Sequence, residues 1–119
     1  MTGVTGIGGF FFRARDKDAL AAWYRQHLGI AEFWQQAAGP TVFAPFRQET
    51  DYFPAEKGWM LNLRVADLDV TVAALQASGI AVERRVEWDT AETGRFARIH
   101  DPEGNPIELW EVPASSEDA

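Results

Sequence analysis

His100 and Glu108 flank the run Asp101-Pro102-Glu103-Gly104-Asn105. If the segments on either side of that turn pair as strands, alternation puts both side chains on one face. Imidazole titrates near neutrality, so in an enzyme the two could act as a general acid–base pair. A cross-strand structural hydrogen bond is the plainer use of the same two residues. The same face carries Phe96, Arg98 and Trp110, and alternation in the segment around Met60–Val65 adds Met60, Asn62 and Arg64. Arg13 holds the matching place in an earlier segment. An arginine offers a carboxylate a fixed fork of donors, and rings lie well against apolar walls. Arg13, Arg64 and Arg98 beside Met60, Asn62, Phe96 and Trp110 therefore predict a site for a small anionic or aromatic molecule. The alternative is that Arg13, Arg64, Arg98 and Glu108 pair with one another, since buried charges need partners.

Composition removes several other chemistries. The 119 residues include no cysteine. Disulfides, thiolate metal ligands and a cysteine nucleophile are thereby excluded. A net charge of -7 leaves no basic face to displace counterions from nucleic acid or to hold an anionic membrane. No segment approaches the roughly 20 apolar residues of a membrane-spanning helix, and the start lacks the basic and apolar regions of a signal peptide. The expectation is a soluble protein in the cytoplasm. Apolar residues make up 46%, which is ordinary for one globular domain. Aromatic residues reach 13%, with Phe 8 and Trp 5. A chain this short cannot bury so many rings, so some must line a pocket or an interface. Trp34, Trp59, Trp88 and Trp110 are the candidates; Trp23 falls on a helix stripe and reads as core.

Two segments share an order of features that would position these side chains. Phe12-Arg13-Ala14-Arg15-Asp16 leads into a stretch ending Leu28-Gly29-Ile30, and Leu63-Arg64-Val65-Ala66-Asp67 into one ending Ser78-Gly79-Ile80. In each, a strand meets an aspartate N-cap, then a helix, a glycine stop and a β-branched residue. The stripe Leu20, Trp23, Tyr24, His27 and Leu28 marks one helix face, and Leu68, Val72 and Leu75 the other. Five features in one order read as a duplicated unit. Strands are predicted at Ile7–Ala14, Ala31–Gln36, Thr41–Phe46, Trp59–Val65, Ala81–Trp88, Arg95–Asp101 and Pro106–Val112. Ala97, Ile99, Ile107 and Leu109 form the aliphatic face that should pack on the helices. Gln48–Gly58, with Tyr52, Phe53 and Pro54, reads as a loop folded over something.

The stretch Arg95-Phe-Ala-Arg-Ile-His-Asp-Pro-Glu-Gly-Asn-Pro-Ile-Glu-Leu-Trp-Glu111 resembles the C-terminal hairpin of the vicinal oxygen chelate superfamily, the glyoxalase, bleomycin-resistance and dioxygenase proteins. Its Asp-Pro-x-Gly-Asn turn and Ile-Glu-Leu strand are the marks, and the Asp-capped helices with a Leu-Gly-Ile ending fit as well. The resemblance implies an α+β fold of two βαβββ-type modules, forming a curved mixed-sheet cup with helices on its outer face. It implies one domain over residues 1–113, with modules at about 7–57 and 58–112 and a flexible tail at 114–119. The first module is short by a strand. Enzymes of the family hold a metal with a histidine on the first strand of each module and a late carboxylate in each. Carried over, Glu108 matches one carboxylate, while the other positions fall on Gly9, Met60 and, nearby, Ala44. No metal is therefore expected; a rearranged divalent-metal site from His100, Glu108 and Glu87 is the alternative.

These readings converge on a glyoxalase-like protein that binds a small molecule in a metal-depleted cup, as the family's resistance proteins do. The rival is a metal-dependent or acid–base lyase, isomerase or dioxygenase. A structural dimer with a vestigial site is the third reading. A homodimer is expected in each case.

Overall fold

The computed structural model describes residues 3–114. Helix α1 runs from Lys17 to Leu28, strand β1 from Leu61 to Arg64, helix α2 from Leu68 to Ala77, β2 from Arg95 to His100 and β3 from Pro106 to Glu111. Most of the tail reading, residues 115–119, lies outside the described residues.

Both helices start and stop by the same local chemistry. The Asp16 carboxylate accepts from Ala19 N at 3.1 Å and the Asp67 carboxylate from Val70 N at 3.1 Å, each satisfying a first-turn N–H that has no intrahelical partner. At the far ends Gly29 and Gly79 take φ of +70° and +83°. Ile30 N and Ile80 N then reach back to the Tyr24 and Leu75 carbonyls, closing each helix with a left-handed glycine. The predicted stripe is buried at Leu20 and Tyr24 in α1, with Trp23, His27 and Leu28 half-buried, and at Leu68, Val72 and Leu75 in α2.

The strands form one mixed sheet in the order β1-β3-β2. β1 runs parallel to β3 with Asn62 beside Glu108 and Arg64 beside Trp110. β2 runs antiparallel, with Arg98 opposite Glu108, Phe96 opposite Trp110 and His100 opposite Pro106. The face holding Ala97, Ile99, Ile107 and Leu109 is fully buried in the same core as Leu20, Tyr24, Leu68, Val72 and Leu75. The expected division of the sheet into an aliphatic face and a mixed face is what forms.

The turn between β2 and β3 is held by one carboxylate. Asp101, which is buried, accepts from Glu103 N, Asn105 N and Asn105 Nδ2, and from the Tyr24 hydroxyl at 2.6 Å. The last bond ties α1 to the hairpin. Glu103 adds a second tie, taking Arg15 N at 2.7 Å and Asp16 N at 3.0 Å at the start of α1. Those two N–H groups, Asp16 first, hold the Glu103 carboxyl below its ordinary value of 4.5. A depressed folded-state value means stability that is present above about pH 4.5 and lost as acid protonates the folded carboxylate. Glu103→Gln should therefore lower the urea midpoint near neutrality. The gap from wild type should close as pH falls from 4.5 through the carboxyl's lowered value. A gap independent of pH would show that the carboxylate charge is not what ties the hairpin to α1.

Four predicted strands differ from the structure. Among the described residues, Ile7–Ala14, Ala31–Gln36 and Thr41–Phe46 form no strand, and Ala81–Trp88 gives a single bridge, Glu83 to Arg98, followed by a 3-10 turn at Val86–Trp88. Alternating apolar residues mark a face, but a strand also needs a neighbouring edge to complete its hydrogen bonds. Segment 7–14 is held through rings instead. Phe10 and Phe12 meet Trp59 edge-on at 4.9 and 5.3 Å. Much of the first half stays open, with Phe11 at 94% and Phe33 at 91% exposure. The radius of gyration, 15.1 Å, accordingly exceeds the ~13.5 Å usual for this length.

Candidate functional site

The sheet face opposite the helices carries two rows of side chains. The first is Asn62, Glu108 and Arg98, in register across all three strands; the second is Arg64, Trp110 and Phe96. Glu108 and Arg98 are buried, at 7% and 6% exposure. Burial of two charges side by side requires that their polar atoms find partners.

Glu108 finds its partners away from Arg98. One carboxylate oxygen accepts from Asn62 Nδ2 at 2.7 Å, and the other accepts a short hydrogen bond from the Tyr52 hydroxyl. Tyr52 arrives from the Gln48–Gly58 loop, which crosses this face. Burial, then the bond to Glu108 and that carboxylate's charge, push the Tyr52 phenol up to about 12, with Arg98 pulling the other way. At neutral pH Tyr52 is thus a protonated donor.

Arg98 lies against two rings that also meet each other. Its guanidinium carbon is 4.9 Å from the Tyr52 ring centre and 5.6 Å from that of Trp88, distances at which the ring quadrupole attracts a cation. Its Nη2 donates to the Tyr52 carbonyl at 2.9 Å. Among the described residues its Nε is buried with no hydrogen-bond partner. An unpaired buried donor costs about 1–3 kcal/mol, a deficit that an acceptor on a ligand would remove.

The remaining predicted site residues are distributed unevenly. Phe96 and Trp110 stack with interplanar angle 1° and centroids 6.2 Å apart, and Trp110 Nε1 is fixed on the Thr93 carbonyl at 2.7 Å. Arg64 Nη2 donates to the Ala37 carbonyl at 3.0 Å, so it braces the Ala38-Gly39-Pro40 turn. Arg13 is exposed and Met60 half-buried. His100 is exposed, opposite Pro106, while both Glu108 oxygens are engaged by Asn62 and Tyr52. Of the three arginines, Arg98 alone joins the Glu108 row. Strand alternation does not reach Tyr52; the adjacent rings Tyr52-Phe53 in a loop are its trace in the sequence. Trp88 was foreseen only as a pocket wall or dimer contact.

The donor set does not suit a divalent metal. Gly9 and Ala44 have no ligating side chain, Met60 offers only a soft thioether, and each Glu108 oxygen already accepts a hydrogen bond. Among the described residues no three His, Cys, Asp or Glu side chains gather closely enough to hold an ion, His100, Glu87 and Glu108 included. Also among those residues, no helix is long and apolar enough to cross a membrane. Two surface hollows, one beside Trp23 and Glu103 and one beside Phe46 and Thr50, leave the Arg98–Glu108 row untouched.

The family described as a glyoxalase-like domain matches residues 9–110, nearly the whole chain. This chain belongs to that family. As a glyoxalase-like protein it sits within the vicinal oxygen chelate superfamily, as its last hairpin indicated. Among solved structures, the glyoxalase-like domain is similar to TnmS3, an antibiotic binding protein from Streptomyces sp. CB03234. The two are 26% identical over 94% of this chain and 99% of that one, with a TM-score of 0.59. A glyoxalase/bleomycin resistance protein from the same strain is 29% identical over 81% and 91% of the two chains, with a TM-score of 0.46. No curated protein sequence matches the glyoxalase-like domain.

Proposed function

We propose that this glyoxalase-like protein binds a small anionic or aromatic molecule, without a metal, on the sheet face around Arg98, Glu108 and Asn62. It would hold the molecule rather than transform it. The observation that carries this reading is Arg98: a buried guanidinium against two rings, with its Nε unpartnered among the described residues. Such a group accepts an aromatic face and an oxygen acceptor together. The likeness to an antibiotic binding protein supports the same use. The matched helix ends support a single domain of two modules, at about 7–57 and 58–112, curved into a cup. The exposed rings of the first half support a homodimer, and the cysteine-free sequence supports a cytoplasmic location.

The test is a thermal-shift screen of matched aromatic acids and their neutral amides, on wild type and Arg98→Met. A ligand at about a hundred times its dissociation constant stabilises by roughly 2.7 kcal/mol, which raises the melting temperature on the order of ten degrees. Acids should outperform amides on wild type, and Arg98→Met should erase the difference. Acids and amides behaving alike, with no loss in Arg98→Met, would refute the reading. A chelator should leave the melting temperature unchanged, and light scattering at micromolar concentration should return a dimer mass.

A further inference from the structure

Tyr52 makes four contacts with the proposed site. Its hydroxyl donates to Glu108, its ring lies against the Arg98 guanidinium and stands steeply to Trp88 with centroids 6.1 Å apart, and its carbonyl accepts from Arg98 Nη2. These are the contacts of a ligand, and they come from a loop. The loop is joined to the rest by few other bonds. Lys57 reaches Asn105 Oδ1 at 3.1 Å, and Phe46 packs on Tyr52 and Phe53 at 5.8 and 5.6 Å. Tyr52 itself is only half-buried, so it can leave without opening the core on the other face of the sheet.

From this we infer that Tyr52 is an intramolecular plug, and that the ligand displacing it is a hydroxyaryl compound with a carbonyl or carboxylate a short chain away from the ring. The inference rests on the binding reading above and narrows it. Glu108, with Asn62 on one oxygen, presents the other as an acceptor; a ligand that only accepts would meet a bare carboxylate there. A phenol replaces the Tyr52 hydroxyl without loss. The ligand's oxygen acceptor then takes the Tyr52 carbonyl's place on Nη2 and is within the guanidinium's fork to reach Nε, the donor that Tyr52 leaves unpaired. That extra bond is what lets an intermolecular ligand compete with a tethered one. While the plug is in, only the fraction of molecules with Tyr52 out is competent, and apparent affinity falls by that fraction.

The probe is 3-(4-hydroxyphenyl)propanoate, which copies the ring, hydroxyl and carbonyl spacing of a tyrosine, alongside its 4-methoxy ether. Calorimetry would compare wild type, Tyr52→Phe and Tyr52→Ala. Tyr52→Ala should bind the phenol at least about tenfold more tightly than wild type. Tyr52→Phe, which keeps the ring and loses only the bond to Glu108, should fall between. On Tyr52→Ala the ether should bind at least about tenfold more weakly than the phenol, as expected for losing a hydrogen bond to a charged group. Equal affinity across the three proteins overturns the plug. Equal affinity of phenol and ether overturns the hydroxyaryl class. Arg98-dependent ligands in the acid–amide screen with no phenol binding to any of the proteins would end this inference and leave the binding reading standing. No Arg98-dependent ligand in the screen, together with no phenol binding to any of the three proteins, ends both.

Discussion

Replacing Asp101 with alanine will destabilise the fold by about 3–5 kcal/mol, because its carboxylate serves four donors at once. The carboxylate is 4% exposed and accepts from Tyr24 Oη at 2.6 Å, Glu103 N at 2.8 Å, Asn105 N at 3.0 Å and Asn105 Nδ2 at 2.8 Å. Alanine leaves those donors facing each other in a site of low polarity, where each unsatisfied group costs about 1–3 kcal/mol and only some regain water. The Tyr24 phenol is held well above its ordinary value, by burial and then by Asp101. It therefore stays a neutral hydroxyl and cannot replace the charge of the lost carboxylate. The loss should lower the melting temperature by roughly 15–25 °C. Tyr24→Phe removes one donor, keeps the ring and should cost only about 1–2 kcal/mol. Urea unfolding of both variants is the check. A cost below about 1 kcal/mol for Asp101→Ala would mean that the hairpin is set by Pro102 and Gly104 without the carboxylate.

Gly94→Ala is expected to cost about 2–5 kcal/mol, adding a backbone penalty to a steric one. Gly94 sits at φ +103°, outside the range comfortable for a side chain, and a Cβ there would lie 2.3 Å from the Glu111 carbonyl oxygen, with Trp110 Nε1 at 2.9 Å. The carbonyl is backbone of β3 and cannot rotate away. Gly94 also exchanges both backbone hydrogen bonds with Thr90, so the turn cannot swing outward without losing them. Gly104 is the control. It has φ +81° and open space where its Cβ would go, so Gly104→Ala should show the backbone penalty alone, about 1–2 kcal/mol. Equal denaturant midpoints for the two variants would show that the close approach at Glu111 carries no cost. The Gly94 variant should also loosen Trp110, whose indole is fixed on the neighbouring Thr93 carbonyl, and with it the stacked wall beside the Arg98 row.

The elements readable from the sequence are those whose causes are local. An aspartate with free N–H groups three residues on, and a glycine able to take positive φ, specify the ends of a helix without any distant partner. The final hairpin was legible because its turn carries its own acceptor in Asp101 and its own positive-φ residue in Gly104. The segments around Phe10, Phe33 and Phe43 had the alternation of strands but no local device to supply a pairing edge. The structure leaves them unpaired among the described residues, held where they touch by rings.

The sequence by itself determined which face of the last hairpin is aliphatic and which is mixed, since alternation follows from strand geometry alone. It thereby set Arg98, Glu108, Phe96 and Trp110 on one side, with Asn62 and Arg64 beside them once the strands paired. Only the tertiary structure decided which of the three arginines enters the site. Arg64 is drawn off to the Ala37 carbonyl and Arg13 is left exposed, whereas Arg98 is enclosed by Tyr52 and Trp88. It also decided that Glu108 pairs with Tyr52, 56 positions away, rather than with His100 or Arg98. The physical reason is one of range. Capping, turns and alternation act over a few residues and leave a trace in residue spacing. The closing of a long loop over a sheet depends on where the packed core puts that sheet, and no spacing along the chain encodes that placement.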